Sequence, residues 1–124
     1  MSTQRTQKNV IRATGVGLQS SERVSLTLRP APASTGIVFR RIDLDPVVEI
    51  KVSPELGRDP QLTTTPESGS TRVTKVGHLM AAFAEFSIDN AWVDLTTEEV
   101  PIMGGSDGPF VFLIHSAEVQ EQST

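Results

Sequence analysis

The spacing of apolar residues changes once along this sequence, and that change limits the folds open to it. Residues 23–28 alternate polar and apolar side chains with period two, which is typical of a strand with one face in water. Between Thr74 and Phe86 the apolar residues instead follow helical spacing, with few β-branched residues among them. Strands in the first two-thirds and helices after them predict an α+β domain.

Five segments are predicted to be strands, at residues 9–13, 23–28, 36–40, 47–52 and 90–95. Residues 61–65 and 70–73 flank Pro66-Glu67-Ser68-Gly69, whose composition predicts a hairpin turn. Together with two helices, these segments predict a two-layer domain. Its mainly antiparallel sheet of about five strands packs on the helices.

The two helical segments carry the strongest physical signal. The first is predicted to start at Thr74, as N-cap, and to end at Phe86, and the second to run from Phe110 to Ala117. Both are apolar on most sides, so a sheet on one side leaves apolar surface uncovered on the other. Such a patch normally marks a partner surface. We therefore expect a homodimer through the helices, with these contact residues: Leu79, Ala81, Ala84, Val111 and Ile114. The alternative is a monomer, if the small alanines leave little apolar surface outside.

Length and charge exclude several classes of protein. The 124 residues fit one domain, predicted over residues 4–120, with a polar tail that frays from Glu118 and leaves 121–124 outside it. A net charge of −4 with scattered basic residues argues against nucleic acid or a membrane surface as partner. No signal peptide or membrane span of ~20 apolar residues is visible, so a cytoplasmic protein is expected. The sequence has no cysteine, which excludes disulfides and cysteine zinc sites.

Several segments resemble one enzyme family, in the family's order. They are Gln4-Arg5-Thr6 and residues 13–18, 28–32, 35–41, 43–46, 88–90, 100–103 and 108–113. This set resembles the zinc-dependent UDP-3-O-acyl-N-acetylglucosamine deacetylases of lipid A synthesis. The resemblance covers about Gln4 to about Gln120, which corresponds to the first of the family's two domains. It implies a small sheet backed by two helices, with the four helices of both domains between the two sheets.

The resemblance also implies the chemistry of the family, in which zinc activates water and a glutamate serves as general base. The family's first domain supplies one zinc ligand, the histidine of a Val-Glu-His-Leu motif, and the glutamate beside it is the base. This sequence has Val76-Gly77-His78-Leu79. His78 therefore matches the ligand as a vestigial metal site, and Gly77 replaces the base. The other two ligands and a second catalytic histidine belong to the family's second domain, so we assign no catalytic residue here.

Other positions of the family's site also differ. The family's Gly-Leu-His-Ser/Thr-Gly is Gly17-Leu18-Gln19-Ser20-Ser21, and its Met-Asp-Gly-Ser-Ala is Met103-Gly104-Gly105-Ser106-Asp107. Leu18 and Leu62 are the substrate-binding positions that the resemblance implies. His115 and Trp92 have no catalytic counterpart in the family; we interpret His115 as a polar helix position and Trp92 as core or interface.

Two functions from different classes follow. The first is a non-catalytic homologue that binds or regulates in lipid A or envelope synthesis through its helix layer, with no cofactor. Its partner would be itself, the full-length deacetylase or another envelope-synthesis protein. The alternative is zinc-dependent deacetylase activity, assembled with a separate second-domain chain or in a homodimer around His78.

Overall fold

The protein is built on a five-stranded sheet with two helices on one face. The computed structural model describes residues 3–17, 21–52, 67–101 and 108–122. The elements are β1 Gln4–Gln7, β2 Ile11–Val16, β3 Arg23–Pro30, β4 Ile37–Arg41, β5 Val48–Val52, β6 Glu67–Ser68, β7 Thr71–Arg72, α1 Gly77–Glu85, β8 Ala91–Leu95, α2 Gly108–Ala117 and β9 Val119–Gln122. The α+β class and the sheet of about five strands on two helices are confirmed.

The main sheet has the strand order β2-β3-β8-β4-β5. Its strands pair antiparallel except β4 and β8, which are parallel. Two small two-stranded units accompany it, β1 with β9 and β6 with β7. The parallel pair requires a crossover, and β5, the β6–β7 hairpin and α1 lie within that connection.

The core lies between the sheet and the helices. Alternate residues of β3, namely Val24, Leu26 and Leu28, are buried, as the period-two pattern predicts for one face of a strand. The helices cover this face with side chains such as Phe83 and Ile114, which are also fully buried. The sheet's inner face is therefore covered by this chain's own helices.

The first helix starts later than the sequence predicts. Thr74 is not its N-cap, because it forms a bridge to Glu99, with its N–H donating to the Glu98 carbonyl at 2.6 Å. Lys75 then has φ +61°, a left-handed conformation that a right-handed helix does not contain. The helix begins at Gly77 behind Val76, whose position has no side-chain cap. Thr74 therefore pairs with a distant segment, through its bridge to Glu99, and does not cap the helix as the local sequence predicts.

The hairpin turn also lies two residues beyond its predicted position. Glu67 pairs with Arg72 and Ser68 with Thr71, so Gly69 and Ser70 form the turn. Gly69 has φ +60°, which two-residue hairpin turns favour and glycine adopts at little cost. The predicted strand at residues 61–65 lies outside the described residues.

The end of the chain is ordered into a strand. Fraying was expected from Glu118, but β9 pairs antiparallel with β1, from Gln7↔Val119 to Gln4↔Gln122. The fraying prediction is wrong over residues 119–122, and Glu121 and Gln122 are part of this strand pair rather than of a tail. Neither strand shows an apolar alternation, which is why the sequence predicted neither.

No helix in the four described ranges is both long and apolar enough to cross a membrane.

Candidate functional site

His78, the residue matched to a zinc ligand, lies exposed in the first turn of α1. Val76, Leu79 and Met80 around it are buried and anchor the start of the helix on the core. Because residues three and four apart share a helix face, His78 falls on the outer face, with Ala81. The imidazole is thus presented away from the core.

The first turn of α1 contains no acidic residue. Gly77, in the position that the resemblance assigns to the family's glutamate, is the first residue of the helix, not an interior one. The interior cost of a helix glycine, ~1 kcal/mol relative to alanine, therefore does not apply in full. A carboxylate at a helix N-terminus is favoured by the unpaired N–H groups and the helix dipole. Among the described glycines the positive φ values are at Gly36 and Gly69, so the backbone does not require a glycine at position 77.

A buried acidic residue, Glu99, lies near the start of α1 and was missed by the sequence analysis. It is 2% exposed and forms a bridge to Thr74, four residues before His78. Val100 donates its N–H to the Thr74 carbonyl at 3.0 Å, which fixes this segment beside the helix. The available signal was a glutamate directly before the apolar pair Val100-Pro101, both of which are buried.

The two histidines of the chain lie at different ends of α1. The His115 ring lies 6.3 Å from the ring of Phe86, the residue that caps the C-terminus of the helix. With a rise of 1.5 Å per residue, His78 and Phe86 are separated by ~12 Å along the axis. The structure therefore does not bring His78 and His115 together. His115 is an exposed polar position of α2, as the sequence predicted.

The predicted helix contacts divide into two groups. Leu79 and Ile114 are fully buried in this chain's own core, so they have no surface to offer a partner. Ala81, Ala84 and Val111 are only partly buried and remain accessible. Phe112, which the contact prediction omitted, is 69% exposed on α2.

Some predicted site positions lie outside the part of the chain that the structure describes. Leu18 and Leu62, the implied substrate-binding residues, lie outside the described residues, as do Gln19 and Gly104. Ser21 is described: it is exposed with φ +58°, and its N–H donates to the Gly17 carbonyl at 3.0 Å.

A buried amide cluster links β1, β9 and two loops. The Asn90 side chain accepts a hydrogen bond from the Gly36 N–H at 2.8 Å. It donates to Gln4 Oε1 at 2.9 Å and to Gln122 Oε1 at 2.8 Å. Gln122 in turn donates to the Ala31 carbonyl at 2.7 Å. Because the Asn90 side-chain oxygen and both of its amide hydrogens are paired, this cluster fixes the β1–β9 pair to the sheet and has a structural role.

The outer face of the sheet carries a row of charged residues. Arg29 and Arg40 both donate to Asp94 Oδ1 at 3.3 Å, and Arg40 also bonds Glu49 at 3.1 Å. The Arg29 guanidinium lies 4.8 Å from the centroid of the Trp92 ring. Trp92 is thus half-buried on the sheet's outer face and outside the core. In these cross-strand pairs each positive charge lies beside a negative charge, so this surface is not a cluster of one charge.

Comparison with known proteins decides the family. A family model described as "UDP-3-O-acyl N-acetylglycosamine deacetylase" matches residues 4–124. The chain is 57% identical over 123 residues to UDP-3-O-acyl-N-acetylglucosamine deacetylase of Legionella pneumophila (strain Corby), covering 99% of this chain and 40% of that protein. The protein of the same name from Thioalkalivibrio sulfidiphilus (strain HL-EbGR7) is 57% identical over 122 residues, covering 98% and 40%.

The chain belongs to the UDP-3-O-acyl-N-acetylglucosamine deacetylase family. It spans 40% of the length of these relatives and corresponds to their N-terminal domain. The deacetylase family is zinc-dependent, and a catalytic zinc site takes three protein ligands. Within the described ranges no group of three histidine, cysteine, aspartate or glutamate side chains is placed to hold a metal ion. At the start of α1 these residues supply one imidazole, that of His78, so they do not by themselves fit the family's zinc.

Proposed function

We propose that this chain is a non-catalytic homologue of the deacetylase's first domain, a binding or regulatory protein of lipid A synthesis. The observation that carries the proposal is the start of α1, where Gly77 stands in the glutamate position and the first turn has no acidic residue. Loss of a general base typically costs ~10²–10⁴ in rate. His78 remains exposed but has no carboxylate beside it in the helix.

Binding is proposed to use the outer face of the helix layer, meaning Ala81, Ala84, Val111 and Phe112. The first three are partly exposed and Phe112 is 69% exposed. Burying one such aromatic side chain is worth ~1.5–3 kcal/mol, which favours a partner that covers it. Alanines at two positions of α1 allow a second helix to approach closely. The occupant is a second copy of this chain, in an isologous helix-to-helix contact. The full-length deacetylase and another envelope-synthesis protein are alternative partners.

The alternative function is zinc-dependent deacetylation with groups from another chain. The exposure of His78 favours it, because the imidazole is accessible to ligands that a partner supplies. The 57% identity to deacetylases supports a compatible scaffold. This function requires a base other than the residue before His78.

The two functions are separated by a chimera. This chain's residues 4–122 replace the matching segment of the Legionella pneumophila deacetylase. The release of acetate from UDP-3-O-acyl-N-acetylglucosamine is then measured. We expect activity lower than that of the Gly77→Glu chimera by ~10²–10⁴, because only the latter has a carboxylate beside His78. The two chimeras differ at one residue, so each is the matched control of the other.

Circular dichroism and zinc content of both chimeras establish that they fold and load metal. Equal turnover by the two would contradict the proposal and support the alternative. A second measurement uses this chain alone. We expect no stoichiometric zinc at neutral pH, and one tightly held zinc per chain would also favour the alternative.

A further inference from the structure

Among the described residues, β2 is an edge strand of the main sheet that pairs with a strand on one side. It stands at one end of the strand order β2-β3-β8-β4-β5, and its paired neighbour is β3. At the opposite edge, β5 contacts the hairpin strand β6. An edge strand presents backbone N–H and C=O groups that another strand can pair with. The β2 edge therefore has the chemistry of a strand-addition site.

The direction of the β2 backbone groups follows from a hydrogen bond that extends the β2–β3 pair. The Gly17 N–H donates to the Glu22 carbonyl at 2.9 Å, so these two residues form a hydrogen-bonded pair. In an antiparallel ladder such pairs alternate with non-hydrogen-bonded ones. Residues 11, 13 and 15 consequently bond to β3. Residues 12, 14 and 16 direct their N–H and C=O groups outward, and no backbone bond between described residues reaches them.

The side chains at this edge are unusually unprotected. Val10, directly before β2, is 55% exposed, and Val16, at its end, is 53% exposed. They share the outer face of the sheet with Arg12 and Thr14, while Ile11 and Ala13 pack against the core. Natural edge strands are usually blunted by proline, bulges or several charges. The six residues of β2 contain one charge, Arg12, and no proline.

We propose that β2 pairs antiparallel with β2 of a second copy, about a two-fold axis at Ala13, so that the two sheets become continuous. This register sets Arg12 opposite Thr14 of the second copy, and Val10 opposite Val16 of the second copy. The outward N–H and C=O groups of Arg12, Thr14 and Val16 then face the outward groups of the other strand. On the inner side, the small Ala13 lies opposite itself and Ile11 opposite Gly15, which leaves room for the pairing.

Neighbouring registers are less favourable. Shifting the axis to Arg12 sets two Arg12 side chains directly opposite each other, and like charges in that position destabilise a sheet. It also sets Val16 opposite Lys8. Shifting the axis to Thr14 sets Val16 opposite Arg12, so the two exposed valines no longer lie opposite each other. Of these three registers, only the one with its axis at Ala13 sets the exposed valines opposite each other and also keeps the two Arg12 side chains apart.

The contact is distinct from the helix layer of the proposed function and does not rest on it. Its test therefore uses a Phe112→Glu chain, in which a charge removes the helix-layer contact. We expect this chain to form a dimer by light scattering across the micromolar range. Adding Thr14→Pro should raise the dissociation constant roughly tenfold or more, because proline removes one outward donor from each strand. Proline is tolerated at an edge position, so the monomer should remain folded.

Single cysteines test the register, since the chain has no cysteine of its own. Ala13→Cys should form a disulfide-linked dimer on mild oxidation, because the two residues are opposite each other at the axis. Thr14→Cys, the matched control, should form much less, because it lies opposite Arg12 of the second copy. A Phe112→Glu chain that stays monomeric, or equal cross-linking by the two cysteines, would overturn the proposal. If Thr14→Pro unfolds the chain, the cysteine pair still decides.

Discussion

Asn90 shows how one buried side chain can hold distant segments together. It is 1% exposed, and its amide bonds the Gly36 N–H and the side chains of Gln4 and Gln122. Its backbone carbonyl accepts from the Thr6 hydroxyl at 2.6 Å. A polar group this deeply buried is stable only while every partner is present. The structure of the β1–β9 pair therefore depends on this residue.

Asn90→Ala is expected to lower the free energy of unfolding by ~2–4 kcal/mol. The substitution removes the Asn90 partner of the Gly36 N–H and of Gln122 Oε1 in a partly buried site, while Gln4 Oε1 keeps its hydrogen bond from the Ser34 N–H. Urea denaturation measures the change. Gln120→Ala, which removes an exposed amide from β9, is the control and should change stability by less than ~0.5 kcal/mol. Equal effects of both would show that the cluster contributes little.

Asp43 provides a pH-dependent contribution. A hydrogen bond from the Arg41 guanidinium lowers the pKa of Asp43, and burial opposes it to a smaller extent. Because the folded pKa is lowered, the stabilisation is present above the unfolded pKa of ~3.9 and is lost as pH falls through the folded pKa.

We expect an Arg41→Gln and Asp43→Asn double-mutant cycle to give a coupling of under ~1 kcal/mol at neutral pH, since the pair is near the surface. The coupling should vanish at pH values below the folded pKa of Asp43. Thermal unfolding of the four chains across the acid range measures it. A coupling that stays constant into strong acid would assign the effect to packing.

At the scale of elements, the sequence predicts which segments form strands better than it predicts which strands pair with each other. The alternation in β3 identified the strand because burial of one face is a local pattern. β1 and β9 have mostly polar sequences, and each is ordered by the other, 112 or more residues away along the chain. The helix α1 starts later than predicted for a similar reason, since the Thr74 backbone bonds to Glu98 and Val100. A local signal cannot report a distant backbone partner.

Deleting residues 119–124 is expected to destabilise the domain by ~2–4 kcal/mol, because β1 loses its partner strand. Asn90 and the Ala31 carbonyl also lose their bonds to Gln122. The measurement is the midpoint of urea unfolding. Deleting only Ser123 and Thr124 is the control and should leave the midpoint nearly unchanged. A full-length midpoint in the longer deletion would mean that β9 adds no stability.

At the scale of the whole molecule, the helix layer covers the sheet on one side and presents a second side outward. Leu79 and Ile114 belong to the inner side, and Ala81, Ala84 and Phe112 reach the surface. The β2 edge is a different surface, at the side of the sheet. The two proposed contacts therefore do not compete, and each is best measured with the other disabled.

In a Thr14→Pro chain, which lacks the edge contact, we expect a dimer through the helix layer. Ala84→Glu should separate it into monomers, because a charge would be buried at the contact without a partner. Light scattering gives the mass of each chain. Ser68→Glu, on the exposed hairpin, is the control and should leave the mass unchanged. A Thr14→Pro chain that is monomeric at all micromolar concentrations would contradict the helix-layer proposal.

The sequence by itself determined the α+β class, five strands, two helices and the family, because alternation, helical spacing and ordered motifs are local properties of the chain. It also places Gly77 before His78, where the resemblance predicts a glutamate. Tertiary structure alone decided where α1 begins, which predicted contact residues are buried, and that the last residues form β9. Each of these depends on which distant groups satisfy a backbone or cover a side chain, and only the folded chain defines those groups.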